Sequence, residues 1–573
     1  MDGIAALHAL RRALADADLT LPTPTSAAAD SARRRAIRRL DDHVLPRAQS
    51  LDAPLLCVVG GSTGSGKSTM FNSLVGEVVS SSSPIRPTTR RPVLLHHGAD
   101  APLFEGIRVL PELARVRIRA GSAPTPAGHG STRELEVREH QWLPAGLALL
   151  DSPDVDSVSE ENRDLARQLL DAADLWVFVT TAARYADAVP WELLSAAGRS
   201  GIAVAVVLNR VPGEAAEAVG QDLRRMMADK GLGSAPLFTV EEQRLRDGLL
   251  PADALAPLAT WLRELVADSH ARTEVARRAL TGSLTEVLAA CSKVSTAAAE
   301  ITEELQAARD LLDSQRAACL DRLRQATADG TLLRGEVMAR WQDVVGAADL
   351  TRSLSRTFAG LRDRVTAFVL GRPTPVAPVE DALEAGLAAL IHEELLRVRE
   401  DAERAWRGSP ATRDLVGTLE KVDEARVERL AGYVTREWQK DLLALVRTVG
   451  ESKRAAARIA AIGVNVVAVA LIIVLFASTG GLTGVEVGVS AGSAVLAQKL
   501  LETIFGDQAV RSMTTTAKAR LMERVGTVID DTLAPMEEAL PPTPDTAALD
   551  SAVKEVSQRW ETHSERPNGS SNE

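Results

Sequence analysis

A chain of 573 residues is long enough for three or four folding units with ordinary buried cores. Hydrophobic residues make up 45% and charged residues 25%, which is globular rather than disordered, and the low 3% of aromatics suits long helices. A net charge of -11 argues against a generally basic face, so no nucleic acid is expected as a partner, and three scattered cysteines (Cys57, Cys291, Cys319) argue against a disulfide framework or a zinc site.

Residues 4–19 and 30–48 read as two amphipathic helices, separated by the linker Thr23–Ala29, with Ser31 as a cap. The first 21 residues carry charges throughout and lack an apolar core of about 7 to 15 residues, so no secretory signal is expected and the following region should face the cytoplasm. From Pro54 the pattern changes. Leu55–Val59, Leu147–Leu150, Leu175–Val179, Ile202–Leu208 and Pro236–Val240 are short apolar runs separated by helical stretches. That alternation predicts an α/β domain over residues 51–270, with a mostly parallel sheet covered on both faces. Gly121–Thr132, rich in Gly, Pro, Ser and Thr, reads as a loop within it.

Gly61, Ser62, Thr63, Gly64, Ser65, Gly66, Lys67 and Ser68 satisfy G-x-x-x-x-G-K-[ST], directly after an apolar strand and before a helix, so the domain reads as an α/β P-loop NTPase (G) domain with Thr69 also at the nucleotide. Glycines let such a loop wrap closely, so that its N–H groups point at phosphates, and the helix adds its positive N-terminus. Lys67 is expected on the β and γ phosphates, and the Ser68 hydroxyl on Mg²⁺. Leu147–Leu150 then ends in Asp151, a carboxylate expected to hold the metal through water. Between these, S-P-I-R-P-T-T-R-R-P offers Thr88 or Thr89 to close over the γ phosphate. Thr89 is the favoured metal and catalytic residue, and Arg90 and Arg91 read as a solvated basic loop.

Beyond about His270 strand signals vanish. Leu280, Leu284, Val287, Cys291, Val294, Ala298, Ile301, Leu305, Ala308 and Leu312 repeat at alternating spacings of four and three, the seam of a long helix in an all-α stalk or bundle over 271–455. Gly371–Pro378 and Gly408–Pro410 punctuate further helices. Ile459–Ser478 is apolar or small except for Asn465, and twenty helical residues reach about 30 Å, one hydrocarbon core. With a return over Val487–Gln498 and Leu500–Phe505 after the turn Thr479–Gly484, residues 456–506 predict a hydrophobic membrane hairpin or paddle. Its flanks, Lys453, Arg454 and Arg458 before and Arg511, Lys518 and Arg520 after, lie on one side, as the positive-inside tendency expects. A returning stalk helix (507–540) and a linker, short helix and disordered tail (541–573) complete the chain.

Taken together, these residues resemble the G domain of dynamin-like and Era-like GTPases, and the order of parts resembles a bacterial dynamin-like protein. The matching pieces are Gly61–Ser68, the switch I-like run Thr89-Arg90-Arg91-Pro92 and the switch II-like start Asp151-Ser152-Pro153. The resemblance implies GTP as substrate in preference to ATP, Mg²⁺ as cofactor, catalytic roles for Lys67 and Thr89, and base contacts near Asn209 and Arg210. It also implies membrane lipid as a partner, dimerisation through G domains or assembly with a related GTPase, and a place at the cell membrane with the GTPase domain on the cytoplasmic side. The sequence departs from the family at Asp154, where switch II carries glycine, and at Val211-Pro212, where N/T-K-x-D carries its carboxylate. Thr63 and Gly64 stand where dynamins place a catalytic Gln and Ser. Two alternatives remain open: a nucleotide-binding scaffold with little turnover, and an ATPase subunit of a transporter. Against the latter, no L-S-G-G-Q occurs and Asp151 is followed by Ser152 rather than Glu.

Overall fold

The computed structural model describes residues 2–81, 91–119, 121–124, 131–157, 159–328, 340–341, 377–477 and 490–564. Thr88, Thr89, Arg90, the turn Thr479–Gly484 and most of Gly371–Pro378 lie outside the described residues. The chain divides into two compact units, one of residues 1–300 with 544–573, the other of residues 301–543.

In the first unit an eight-stranded sheet runs in the order β3-β4-β2-β5-β1-β6-β7-β8. Its strands are β1 (Leu55–Gly61), β2 (Val93–His96), β3 (Ala114–Ile118), β4 (Glu134–Glu139), β5 (Leu147–Asp151), β6 (Leu175–Thr181), β7 (Ala203–Val211) and β8 (Leu237–Glu241). All five apolar runs of the sequence are strands, and β5, β1, β6, β7 and β8 are mutually parallel. The sheet holds three more strands than those runs. β2 is parallel to β4 but antiparallel to β5, so β2, β3 and β4 form a reversed flank. Continuous apolarity could not reveal them: β3 and β4 alternate charge with aliphatics (A-R-V-R-I, E-L-E-V-R-E), and β2 is only four residues long.

β1 is buried at every position, because alternate side chains enter two different cores. Leu55, Cys57 and Val59 pack with Met70 and Phe71 of the helix Lys67–Val75, while Leu56 and Val58 pack with Leu165 and Leu169 of the helix Glu160–Asp171. Each large apolar side chain so buried contributes roughly 1.5–3 kcal/mol. This two-sided cover fixes the C-terminal end of β1, from which the glycine loop emerges.

The N-terminal helices span Asp2–Asp16 and Ser26–Arg39, the second continuing through a π turn (Leu40–Val44) to Gln49. They are tied to the sheet through Asp174, the residue before β6. Arg47 Nε donates to Asp174 Oδ1 at 2.8 Å, His43 Nε2 lies 3.1 Å from the same oxygen, and Leu56 N donates to Oδ2 at 2.7 Å.

The seam helix is one continuous element, Ser269–Ala328, of 60 residues. All ten seam residues from Leu280 to Leu312 are buried. Near its start the helix passes so close to the turn after residue 199 that a Cβ on Gly282 would lie 1.8 Å from the Ser200 carbonyl oxygen. Gly282→Ala is therefore expected to cost about 1–3 kcal/mol, since backbone must shift rather than a flexible side chain. Thermal denaturation checks this, and an unchanged Tm would mean that the approach is not held in solution.

The second unit is helical, with Ala377–Gly408, Glu424–Val449, Lys453–Ile462, Val464–Ala477, Ser490–Phe505 and Asp507–Ala539 around one core. Trp438 sits in its middle, its indole N–H donating to the Ala517 carbonyl at 2.8 Å and its ring 5.9 Å from that of Phe476. The expected unbroken helix over Ile459–Ser478 is corrected here. It breaks at Gly463, whose φ of +97° favours a residue without Cβ. Among the described residues no single helix is long and apolar enough to cross a membrane. Lys453–Ala460 and Val464–Ala477 reach that length and composition only together, across a bend of 99°. Val466 to Phe476 are all buried within the protein, as in the core helix of a bundle.

Candidate functional site

β1 ends at Gly61, where a Cβ would fall 2.1 Å from the Val179 carbonyl oxygen of β6, so only glycine lets the chain turn there. Gly64 (φ +76°) and Gly66 (φ +90°) then hold left-handed conformations that curl the loop back to the helix starting at Lys67. Ser62 and Ser65 are buried, and their hydroxyls have no partner among the described residues. Lys67 folds back over this loop, its Nζ donating to the Ser62 carbonyl at 3.2 Å and to the Asp154 carboxylate. Thr69 lies in the first turn of the helix, its carbonyl accepting from Ser73 Oγ at 2.6 Å.

Asp151 ends β5 beside β1 and is fully buried. Its Oδ2 accepts from Ser68 Oγ at 2.9 Å and from Ser80 Oγ at 2.6 Å, while its Oδ1 has no partner among the described residues. Burial pushes this carboxyl up to about 6, against the lowering effect of the two hydroxyls and of Lys67. A carboxylate oxygen orphaned beside a serine hydroxyl, next to a loop built for phosphate, is the donor set a hard divalent cation takes, so the residues fit Mg²⁺. Ser80 was not singled out by sequence. It is placed by Asn72, whose amide accepts from Ser80 N at 2.9 Å and donates to Ser80 O at 2.7 Å.

Two further carboxylates of the segment after β5 grip the loop. Asp154 holds Lys67. Asp156 Oδ1 accepts from both Thr63 N and Thr63 Oγ1 at 2.6 Å, and its Oδ2 accepts from Arg184 Nη1 at 2.9 Å. Burial acts to raise the Asp156 pKa, but the bonds from Thr63 and the Arg184 charge outweigh it and leave the carboxyl below its ordinary range. Neither Asp156 nor Arg184 belongs to a spacing motif, so no sequence signal marked them.

On the other side of the loop Asn209 Nδ2 donates to Ser65 O at 2.8 Å and stands 2.6 Å from where a Gly66 Cβ would be. Asn209 and Arg210 lie at a register irregularity of β7, and Arg210 has a φ of +55°, unusual outside glycine. The structure thus brings Gly61 to Thr69, Asp151, Asn209 and Arg210 to one end of the sheet. Arg91 departs from its expected place in a solvated loop. Its side chain is only 16% exposed, its Nε donating to Glu134 Oε2 at 2.8 Å with Glu136 at 3.7 Å, which anchors the end of the switch I-like run to β4.

Residues 57–210 match the family model described as the dynamin family. No curated protein matches the chain. Among solved structures, a chain of an oligomerised bacterial dynamin pair described as providing a mechanism for the long-range sensing and tethering of membranes is 10% identical, with a TM-score of 0.41 over 99% of this chain and 95% of that one. An Aquifex aeolicus Era variant bound to GDP and AlF4- is 17% identical, with a TM-score of 0.23 over 37% of this chain and 56% of that one.

Proposed function

With residues 57–210 as a dynamin-family domain, we propose that the protein is a membrane-associated GTPase that binds and hydrolyses GTP with Mg²⁺ to remodel membrane or organise a membrane complex. The observation that carries this reading is Lys67 and Ser68 at the head of a helix, facing the buried Asp151 with its orphaned oxygen. In this reading Gly61, Ser62, Thr63, Gly64, Ser65, Gly66 and Thr69 wrap the phosphates, and Lys67 neutralises them. Ser68, Asp151 and Thr89 hold the metal, and Asn209 and Arg210 form the rim toward the base. Mg²⁺ supplies charge neutralisation across the β and γ phosphates when bound. The chain's own residues orient the triphosphate, and the Ser68 and Ser80 hydroxyls with Lys67 act against the effect of burial on the Asp151 carboxyl that would hold the metal. A domain without a side-chain base at Thr63 and Gly64 suits activation by dimerisation, with a second copy or with a related GTPase. The apolar helix Val464–Ala477 and its neighbour Ser490–Phe505 are the proposed lipid-facing paddle, which would have to unpack from the helical core to reach a bilayer, with the GTPase domain on the cytoplasmic side of the cell membrane.

A nucleotide-binding scaffold with little turnover is the second reading, favoured by the Asp154 carboxylate on Lys67. Competition between GTP and ATP with Mg²⁺, followed by hydrolysis against protein concentration with and without liposomes, separates them. The first reading expects GTP preference and a rate per molecule that rises with concentration or lipid. Binding without turnover supports the scaffold, and ATP preference removes the GTPase.

A further inference from the structure

Arg184 is a cation fastened to the phosphate loop by the loop's own backbone. It follows β6 in a turn closed by its N–H on the Thr181 carbonyl at 3.0 Å. One terminal nitrogen, Nη1, donates to the Thr63 carbonyl at 3.0 Å and to Asp156 Oδ2 at 2.9 Å, and Asp187 lies 3.8 Å from Nε. The guanidinium is thereby held by one corner, with the side chain 41% exposed. Asp156 fixes that corner from below. Its other oxygen takes both the amide and the hydroxyl of Thr63, so carboxylate, loop and arginine form one joint. Thr63 and Gly64 carry no charge of their own, and Lys67 is the cation within the loop sequence Gly61–Ser68.

We propose that Arg184 acts in cis as the cation that neutralises charge developing during GTP hydrolysis, with Asp156 as its positioning residue. The inference rests on the GTPase reading above. In the reaction the water oxygen bonds to Pγ as the bond from Pγ to the β–γ bridging oxygen breaks. The bridging oxygen keeps the electron pair and leaves on GDP, and the proton lost by water passes to inorganic phosphate and solvent. Negative charge grows on the bridging oxygen and is spread over the three equatorial oxygens, where a guanidinium beside Thr63 is within reach. An arginine supplied in this role accelerates such reactions about 10³–10⁵-fold. GTP itself competes with Asp156 for the guanidinium, so the joint loosens as the arginine engages.

The test is steady-state GTP hydrolysis by the full chain, with GDP affinity and formation of a GDP–aluminium fluoride complex in Mg²⁺ measured alongside. Arg184→Ala is expected to lower kcat about 10³-fold, to leave KM and GDP affinity within about three-fold, and to abolish the aluminium fluoride complex. Arg184→Lys should recover part of the rate, and so should guanidinium ion added to Arg184→Ala. Asp156→Asn should lower kcat less, with KM little changed. A kcat for Arg184→Ala within about two-fold of wild type overturns the proposal, and so does a loss of GDP binding in parallel with kcat, which would mark a structural role. Wild type that binds GTP but never hydrolyses it sinks the GTPase reading itself, and this inference with it, before any variant is compared.

Discussion

Lys67→Ala is expected to weaken triphosphate binding at least about 100-fold, and Asp154→Asn to strengthen it about 10-fold. Both follow from one geometry. Lys67 is buried, and its ammonium is already answered by the Asp154 carboxylate and the Ser62 carbonyl. A γ phosphate must take the place of Asp154, and that carboxylate is one-fifth exposed, so the contact is worth less than a fully buried pair. Removing the Asp154 charge lifts the competition and leaves Lys67 for the ligand, whereas removing Lys67 deletes the cation that both anions seek. Titration with a fluorescent GTP analogue reads both. Unchanged affinity in Lys67→Ala would mean that the glycine loop is not the phosphate site. No gain in Asp154→Asn would mean that Asp154 moves away at no cost.

Asp174→Ala is expected to destabilise the first unit by about 3–5 kcal/mol, the range for removing one partner from a buried ion pair. The substitution strands Arg47, His43 and the Leu56 amide, which all point at Asp174. The same hub sets an acid limit. Burial acts to raise the Asp174 pKa, but Arg47 and His43 outweigh it and hold the carboxyl at about 2, below the ordinary 3.8. Its contribution is therefore complete above about pH 4 and lost as pH falls through 2. Nearby Asp42 behaves oppositely. Burial raises it to about 7, so the folded state binds its proton more tightly and gains stability as pH falls from 7 toward 3.8. Urea unfolding at pH 7.5, 5.5 and 2.5 should give stability that rises and then falls, and Asp42→Asn should flatten the first limb. A monotonic loss from pH 7.5 downward would show that Asp42 ionises freely in the folded protein.

What the sequence disclosed here was what the backbone demands. A loop that turns at Gly61, Gly64 and Gly66 has little choice of residue, and strands buried on both faces must be continuously apolar, so β1, β5, β6 and β7 were legible, while the edge strand β8 was marked by its short apolar run alone. β3 and β4 were not, because one face of each carries charge that finds its partners only in the fold, as Glu134 and Glu136 do with Arg91. Asp156, Arg184 and Ser80 escaped for a related reason. Their partners Thr63 and Asp151 lie 93, 121 and 71 positions away, and no local period encodes a contact of that range. The break at Gly463 was hidden by composition. An apolar stretch scores alike whether or not one glycine within it bends the helix, and the bend leaves fourteen residues, about 21 Å, on its far side.

The continuous helix Ser269–Ala328 also sets rules for changes in length. Each residue added to a helix turns everything beyond it by about 100°, so a single insertion near Ser314 would carry Cys319, Leu320 and Leu323 off the buried stripe that Ala308 and Leu312 begin, although each residue itself is unchanged. Removal of seven residues returns the stripe almost to its original azimuth. Length variants of this segment should therefore survive in steps of seven and fail between them, a periodicity of tolerance that no single substitution would expose.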